Sequence, residues 1–330
     1  MPYYSPLRYP GGKRRLATVV MNLLEENGLN DVQYVEPYAG GASIALTLLF
    51  EEYASTIHIN DLSRAVYAFW HSVLNEPTDL CRRIKHVRLS MAEWHRQREV
   101  YNSRDAADLS DLGFAALFLN RTNRSGIIAG GVIGGQKQAG NWLLDARFNK
   151  EELMQRVRKI GRYSSRINLH QRDALDFTNQ VLPQLGQNVF AFYDPPYIEN
   201  GKDLYLNNYE IEDHRLLANR IAELEQPWVV TYDYAAVKHR LYPNRRRMLY
   251  GLRYSAQARC DAQEVMFLSN SLKVPRAWRT RHPVVVSKKR NEERPLYGIT
   301  IRENTQAEER LCRTRLRNTL QKTKARRRKT

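Results

Sequence analysis

The chain has 330 residues and a hydrophobic content of 42%, enough for two domains or for one large domain with an insertion. Its N-terminus lacks the apolar stretch of a signal peptide, and no run approaches the roughly 18 apolar residues of a membrane helix. Three widely spaced cysteines exclude a disulfide framework and a four-cysteine metal site. We therefore expect a soluble, cytoplasmic protein.

The net charge of +17 is concentrated near the C-terminus. Residues 271–330 carry 19 lysines and arginines against 5 acidic residues, whereas residues 1–270 carry 33 against 30. A large positive charge indicates a polyanionic partner. Here it indicates mainly a basic C-terminal extension at 271–330, which we expect to be partly disordered.

The predicted elements alternate between strands and helices from the start of the chain. A strand at 33–37 leads through a glycine turn at 39–42 into a helix at 43–53, and a strand at 55–60 precedes a helix at 62–74. After residue 162 the alternation resumes, with strands at 166–173, 188–197, 227–233 and 262–270 and a helix at 212–224. This alternation predicts an α/β domain with parallel strands.

A segment of different character interrupts the α/β pattern between residues 76 and 162. Its stretches on either side of 125–142 have helical spacing, and 125–142 itself is rich in glycine, which predicts a flexible hairpin or loop. We therefore predict a divided α/β domain at 1–75 and 163–270, with an inserted, mainly helical segment at 76–162.

Acidic residues follow four of the predicted strands: Glu36, Asp61, Asp173 and Asp194. Ligands of open α/β sheets bind beyond the carboxyl ends of the strands, and an acid after the second strand commonly accepts from ribose hydroxyls. The sequence has neither the dinucleotide fingerprint nor a P-loop, which disfavours a pyrophosphate ligand. A nucleoside-like cofactor without phosphate, such as S-adenosyl-L-methionine, fits best. The ordinary alternative for each single acid is a helix cap.

The stretch YDPPY at 193–197 ends an apolar run with an acid, two prolines and an aromatic residue. An amino group on a heteroaromatic ring is a poor nucleophile because its lone pair is delocalised. The Asp194 carboxylate and the Pro195 carbonyl can accept its two hydrogens and favour a pyramidal nitrogen, while Tyr197 can stack on the ring. The tetrad therefore predicts methyl transfer to a planar amine. Adenine, cytosine N4, an RNA adenine and a protein amide all remain possible acceptors.

Together these motifs resemble the N6-adenine DNA methyltransferases of the DNA adenine methylase type, with the α-group order of motifs. The resemblance covers roughly residues 5–270, and it is carried by SPLRYPGGKRRL (5–16), YVEPYAGGASIAL (34–46), HINDLSRAVY (58–67), FLNRTNRSGI (118–127), YDPPY (193–197) and AQEVMFLSN (262–270). It implies a Rossmann-like S-adenosylmethionine-dependent methyltransferase sheet with an inserted, mainly helical target-recognition segment. It also implies transfer to N6 of a flipped-out adenine in DNA.

The resemblance further implies roles for individual residues. The catalytic residues would be Asp194, Pro195, Pro196 and Tyr197. The cofactor-binding residues would be Tyr9, Lys13, Glu36, Tyr38, Ala39, Gly40, Asp61, Asp173 and Asp194. The DNA-binding residues would be Asn120, Arg121, Asn123 and Arg124, and no metal ligand is expected. The chain departs from the family pattern at Ala42 and Tyr38, where the family often has a glycine and a phenylalanine.

Double-stranded DNA is the expected partner, bound by a monomer associated with the nucleoid. A cognate restriction endonuclease is a further partner if the enzyme serves restriction-modification, and a phage or housekeeping role stays open. The sequence does not give the recognition site. A nucleic-acid-binding protein with an inactive pocket is the alternative from another class. The intact Asp194 and glycine turn disfavour that alternative.

Overall fold

The structure is a computed structural model that describes residues 2–8, 13, 16–198, 209–253, 261–275 and 284–286. Its strands are β1 (Val32–Glu36), β2 (Ala54–Asn60), β3 (Ile167–His170), β4 (Val189–Tyr193), β5 (Trp228–Asp233), β6 (Arg246–Arg253), β7 (Asp261–Leu268) and β8 (Val284–Val286). Within the described residues they form one eight-stranded sheet in the order β3-β2-β1-β4-β5-β7-β6-β8. The strands from β1 to β5 pair in parallel, and β6, β7 and β8 pair antiparallel with their neighbours.

Ten α-helices lie in the described part of the chain. They are α1 (Ala17–Glu26), α2 (Ser43–Phe50), α3 (Arg64–Asn75), α4 (Pro77–His86), α5 (Met91–Asn102), α6 (Leu109–Thr122), α7 (Lys150–Gly161), α8 (Ala174–Gln180), α9 (Ile211–Ala222) and α10 (Ala235–Lys238). None of them is long and apolar enough to cross a membrane.

Alternate residues of the central strands belong to two separate hydrophobic clusters. Tyr34 and Phe190 belong to a cluster that includes residues of α1, α2 and α3, whereas Val35 and Ala191 belong to one that includes residues of α8 and α9. Successive side chains of a strand point to opposite faces of the sheet, so helices cover both faces. The result is a three-layer α/β fold.

Of the inserted helices, α4, α6 and α7 pack against α3 and α5 packs against α6, and all four extend the first of these clusters. Ser90 and Asp108 are the N-cap residues of α5 and α6, and their side chains accept hydrogen bonds from backbone N–H groups of the first turn. At Gly113, α6 approaches the backbone of Ala68 in α3 so closely that a Cβ would not fit. As a consequence, α6 is buried along most of its length.

The glycine-rich stretch 125–142 was predicted to be a hairpin or loop, and it is a loop. A single antiparallel bridge joins Asn123 to Val132, and turns follow it. Gly126, Gly134 and Gly135 have positive φ angles, which suits consecutive turns better than paired strands.

The predicted α/β fold with parallel strands is confirmed, and the closing strand predicted at 262–270 is β7. Two strands are shorter than predicted. β4 ends at Tyr193 because the two prolines that follow have no N–H to donate to a sheet, and β3 ends at His170, where the chain turns into α8. The sequence analysis did not predict α1, α8, α10, β6 or β8. The assignment of 76–162 to target recognition stays a prediction.

Candidate active site

The carboxyl ends of the parallel strands meet at one edge of the sheet, where a cleft of about 540 Å³ opens. Its walls come from the turn after β1, the residues that follow β2, β3 and β4, and the loop after α6. The chain leaves β1 toward the face that carries α2 and leaves β4 toward the face that carries α9. The cleft therefore lies at the switch point of the sheet, where α/β proteins bind ligands.

The turn between β1 and α2 brings backbone groups to the wall of the cleft. Gly40 and Ala42 have φ angles of 47° and 46°, which glycine adopts freely and alanine adopts with strain. The Asp61 carboxylate accepts from the backbone N–H groups of Gly40 (3.0 Å) and Ser63 (2.9 Å), and Trp70 Nε1 donates to the Gly40 carbonyl (2.9 Å). These bonds fix the turn and tie it to the residue after β2.

Glu36 is a buried acid and Asp61 a half-buried one, and the pKa values of both are raised well above the ordinary ones. Glu36 Oε1 accepts from the Tyr34 hydroxyl (2.9 Å) and from the backbone N–H of Ala45 (3.0 Å). Burial raises the pKa of Glu36 to about 8, although these hydrogen bonds oppose the change. Burial likewise raises the pKa of Asp61 to about 6, against two backbone hydrogen bonds.

Asp173 caps α8 and also faces the cleft. Its Oδ1 accepts from the backbone N–H of Leu175 (2.8 Å), and its Oδ2 accepts from the Tyr209 hydroxyl (3.3 Å). The Tyr38 hydroxyl donates in turn to Tyr209 (3.0 Å). Asp173 is therefore both the N-cap of α8 and a residue of the cleft wall. Tyr209 was not predicted, because no sequence motif distinguishes it from other tyrosines near a helix start.

Asp194 stands at the end of β4, in what we call the catalytic corner: Lys13, Asp194, Tyr197, Thr231 and Glu264. Asp194 Oδ1 accepts from the Thr231 hydroxyl (2.7 Å) and lies 3.6 Å from Lys13 Nζ. Burial raises the pKa of Asp194, and the charge of Lys13 and the Thr231 hydrogen bond oppose this effect. The corner thus holds a carboxylate with two fixed neighbours.

Lys13 links the other members of the corner. Its Nζ donates to Glu264 Oε2 (2.6 Å) and to the Tyr197 hydroxyl, and lies 4.6 Å from the centre of the Tyr197 ring. Lys13 is 6% exposed and Glu264 is 1% exposed, so the ion pair is buried. Glu264 is a residue that the sequence analysis missed. A carboxylate inside the apolar run of β7 was the only signal for it.

The structure brings most of the predicted cofactor residues to one cleft. The wall contains Lys13, Glu36, Tyr38, Ala39, Gly40, Asp61, Asp173 and Asp194, together with Pro196. Pro195 is buried next to them, and Tyr9 lies outside the described residues. No group of three or more histidine, cysteine, aspartate or glutamate side chains in the described residues is arranged to hold a metal ion.

The four predicted DNA contacts occupy very different positions. Asn120 is fully buried, and its side chain bonds the backbone N–H and carbonyl of Arg8 (2.8 and 2.7 Å). Asn123 is also fully buried, and its amide donates to two carbonyls of the loop after α6. Arg121 is 5% exposed, and burial lowers its pKa to about 10. Only Arg124 of the four is exposed.

In this structure the side-chain amides of Asn120 and Asn123 are bonded to backbone groups rather than exposed. Their assignment as DNA contacts stays a prediction. Their role in this structure is to hold the loop after α6 and the N-terminal segment in place.

Residues 9–251 match the family of D12 class N6 adenine-specific DNA methyltransferases. A search of curated protein sequences gave no significant match. Among solved structures, the rRNA methyltransferase AviRa of Streptomyces viridochromogenes is 13% identical, with 80% of this chain and 86% of that chain covered and a TM-score of 0.37. A Haemophilus influenzae protein described as a methylase is 10% identical, with 77% and 96% covered and a TM-score of 0.32.

The structural likenesses are too distant to carry an argument, so the assignment rests on the family match. That match spans the cleft residues from the glycine turn to β5, including the YDPPY tetrad and the inserted helices. The acid at the end of β4 and the fixed turn after β1 are both present, as the activity requires. The chain therefore belongs to the D12 class of N6 adenine-specific DNA methyltransferases, and it is an enzyme that methylates adenine in DNA.

Proposed function

We propose that the enzyme takes its methyl group from S-adenosyl-L-methionine and transfers it to an adenine that has rotated out of the duplex into the catalytic corner. The observation that carries the proposal is the position of Asp194, which opens to the cleft on one side and is held by Thr231 on the other. Adenine N6 is paired inside a duplex, so it reaches a carboxylate set in a cleft only after the base leaves the stack.

The chemistry of the cleft supports S-adenosyl-L-methionine as the methyl donor. Glu36, Asp61 and Asp173 place carboxyl groups along its wall, which suits a ligand with hydroxyl groups rather than one with phosphates. We assign the ribose to Asp61, the adenine side of the cofactor to Asp173, and the remaining wall to Glu36 and the glycine turn. When bound, the cofactor supplies an electrophilic methyl group on a positively charged sulfur.

In the proposed reaction the chain acts by positioning and by electrostatics. Asp194 and the carbonyl of Pro195 accept the two hydrogens of the adenine amino group, so that the nitrogen lone pair is directed at the methyl carbon. Tyr197 packs against the base. The donor would give up its methyl group as its sulfur–carbon bond breaks and the nitrogen–carbon bond forms, and N6 would gain positive charge. Asp194 stabilises that charge, and N6 then releases a proton to water.

The inserted segment 76–162 is the proposed DNA-facing part. The loop after α6 contributes residues 126–129 to the wall of the cleft, so DNA that delivers a base to the cleft meets this loop. Arg124 is exposed at the base of the loop, and we assign it a phosphate contact. A single copy of the chain contains every proposed catalytic residue, which supports a monomer as the active form.

Transfer of a labelled methyl group tests the donor and the acceptor together. The enzyme is incubated with methyl-labelled S-adenosyl-L-methionine and unmethylated duplex DNA, and the nucleosides of the product are separated. We expect label in N6-methyladenine. Sequencing of the methylated positions then gives the target site. Label in N4-methylcytosine, or no label in DNA at all, would contradict the proposal.

Asp194→Asn tests the catalytic assignment. Replacing the carboxylate removes the charge that stabilises N6, so we expect single-turnover transfer to fall by at least about 100-fold while DNA affinity stays within about threefold. The matched control is Asp31→Asn, at an exposed position that precedes β1 at the opposite edge of the sheet. Wild-type transfer by Asp194→Asn would remove Asp194 from the mechanism.

A further inference from the structure

We propose that Glu264 is a positioning residue for methyl transfer. It holds the Lys13 ammonium group away from Asp194 and so keeps the Asp194 carboxylate available to the adenine amino group. The inference rests on the proposed function of Asp194 as the acceptor of that amino group. Glu264 lies on β7, a strand that has no role in the reaction described so far.

The direction of β7 explains why Glu264 reaches the cleft edge. The strands from β1 to β5 run parallel and end at this edge, whereas β7 runs antiparallel to β5 and therefore begins there. In the register of the two strands, Glu264 is directly opposite Asp233, the last residue of β5. Opposite residues of an antiparallel pair point to the same face, so an acid early in β7 faces the same region as the acids that end the parallel strands.

Two carboxylates compete for the Lys13 ammonium group. Lys13 Nζ is 2.6 Å from Glu264 Oε2 and 3.6 Å from Asp194 Oδ1, so Glu264 has the hydrogen bond and Asp194 has only the longer ion pair. The third neighbour is Tyr197, whose hydroxyl accepts from the same ammonium group. With one cation and two anions, the group formed by Lys13, Asp194 and Glu264 keeps a net negative charge.

Loss of the Glu264 charge would leave Asp194 as the remaining carboxylate partner of Lys13 within this group. A lysine ammonium group is a compact charge on a flexible stem, and only about one ångström of movement would bring it into hydrogen-bonding distance of Asp194. There it would occupy the lone pairs that the adenine amino hydrogens need. Its positive charge would also oppose the charge that develops on N6. Lys13 would then hinder both base insertion and transfer.

A purely structural role for Glu264 makes a different prediction. If the ion pair served only to attach the N-terminal segment to β7, then removing Lys13 in addition to the Glu264 charge would not restore the rate of methyl transfer. If Lys13 is instead the competitor, its removal relieves the defect of a Glu264 variant. The two interpretations therefore separate in a double variant.

The test uses the full chain and duplex DNA that contains the mapped target site, at saturating cofactor and DNA. We expect Glu264→Gln to transfer the methyl group about 10- to 100-fold more slowly in a single turnover, with affinities for cofactor and DNA within about threefold of wild type. A second readout needs no cofactor. Fluorescence of 2-aminopurine at the target position should rise less on binding to Glu264→Gln than on binding to the wild type, because the base inserts less often.

Three further variants complete the experiment. Glu264→Asp keeps the charge, and we expect its rate to stay within about fivefold of the wild-type rate. The double variant Glu264→Gln with Lys13→Met should be faster than Glu264→Gln alone, because the competitor is gone. The matched control is Glu223→Gln, an exposed carboxylate beyond the end of α9.

The double variant also keeps the proposal testable if Glu264→Gln fails to fold. It removes both partners of the buried ion pair between Lys13 and Glu264, which a structure tolerates better than the loss of one partner. Transfer by the double variant within about tenfold of the wild-type rate would support the inference. A wild-type rate for Glu264→Gln, or a double variant that binds both substrates and is as slow as Glu264→Gln, would overturn it. Failure of the wild-type enzyme to methylate DNA would instead overturn the proposed function itself.

Discussion

The carboxyl group of Glu36 is 5% exposed, and burial raises its pKa to about 8. Between about pH 4.5 and 8 the folded chain keeps a proton that the unfolded chain releases, so the contribution of this group to the free energy of unfolding falls as the pH rises. We expect Glu36→Gln to remove that contribution. Glutamine still offers an oxygen to Tyr34 and to the Ala45 backbone, but it does not ionise.

Urea unfolding of both proteins without cofactor, at about pH 5, 6.5 and 8, measures the effect. The free energy of unfolding of Glu36→Gln should rise relative to the wild type with increasing pH, by an amount on the order of a few kcal/mol across the range. Other acids with raised pKa values, such as Asp61 and Asp194, are present in both proteins, so most of their effect cancels in the difference. Parallel pH profiles would show that Glu36 does not titrate as its burial indicates.

A cleft residue can be predicted from the sequence when its position depends only on the order of the parallel strands. Asp61, Asp173 and Asp194 follow predicted strands in an α/β pattern, and parallel pairing brings such residues to one edge. Glu264 was missed because its position depends on the antiparallel direction of β7 and on its register with β5. Those are properties of tertiary pairing, and a single strand sequence does not contain them.

Three elements meet at Asn120, near the end of α6. Its amide bonds both backbone groups of Arg8, and it donates to the carbonyl of Gly126 in the loop that walls the cleft (2.7 Å). Gly126 has a φ of 77°, and a Cβ on it would clash with the carbonyl of Arg8. The N-terminal segment that leads to Lys13 is therefore held by a contact that only glycine permits.

Gly126→Ala should disturb this junction. We expect a loss of about 2 to 4 kcal/mol in the free energy of unfolding, from backbone strain and the clash together, and a transfer rate about tenfold lower because the N-terminal segment shifts. Gly131→Ala in the same loop is the matched control, since nothing lies within 4 Å of its added Cβ. Thermal unfolding and single-turnover assays compare the two variants, and equal behaviour would contradict the role given to Gly126.

Element type was predictable in the insertion, but exposure was not. Helical spacing indicated helices on both sides of the glycine-rich loop, because that spacing follows from local sequence, but it did not separate α4 from α5. The polar stretch at 120–124 was interpreted as a DNA-contacting surface, yet most of it is buried because α6 packs between α3, α5 and the N-terminal segment. Tertiary packing therefore determined which polar side chains stay accessible.

For the molecule as a whole, alternation of strands and helices was enough to predict the sheet and the edge at which ligands bind. The antiparallel edge was harder to predict, because β6 begins with two adjacent arginines and contains a glycine, a pattern that does not resemble a buried strand. The charge distribution was plain from the sequence. Residues 1–270 are nearly neutral, and most of the surplus of +17 belongs to the final 60 residues.

This charge distribution predicts that two different parts of the chain would contribute to DNA binding. In the proposed function the cleft and the loop after α6 would act on the target base, whereas cations near the C-terminus would act on phosphates of any sequence. We expect replacement of the six lysines and arginines in 322–329 by glutamine to weaken binding to nontarget duplex DNA at low salt. The slope of log affinity against log salt should fall by up to about 0.9 for each cation that contacts a phosphate.

Salt titrations of the full-length wild type and the six-residue variant, on one nontarget duplex, measure that slope. The single-turnover rate on target DNA at saturating concentration serves as the internal control, and we expect it to be unchanged because the variant residues take no part in positioning the base. An unchanged salt slope would mean that these cations do not contact DNA. A lower saturating rate would mean that the C-terminal residues act on the catalytic step. It would contradict the assignment of base positioning to the cleft and of nonspecific phosphate binding to the C-terminal extension.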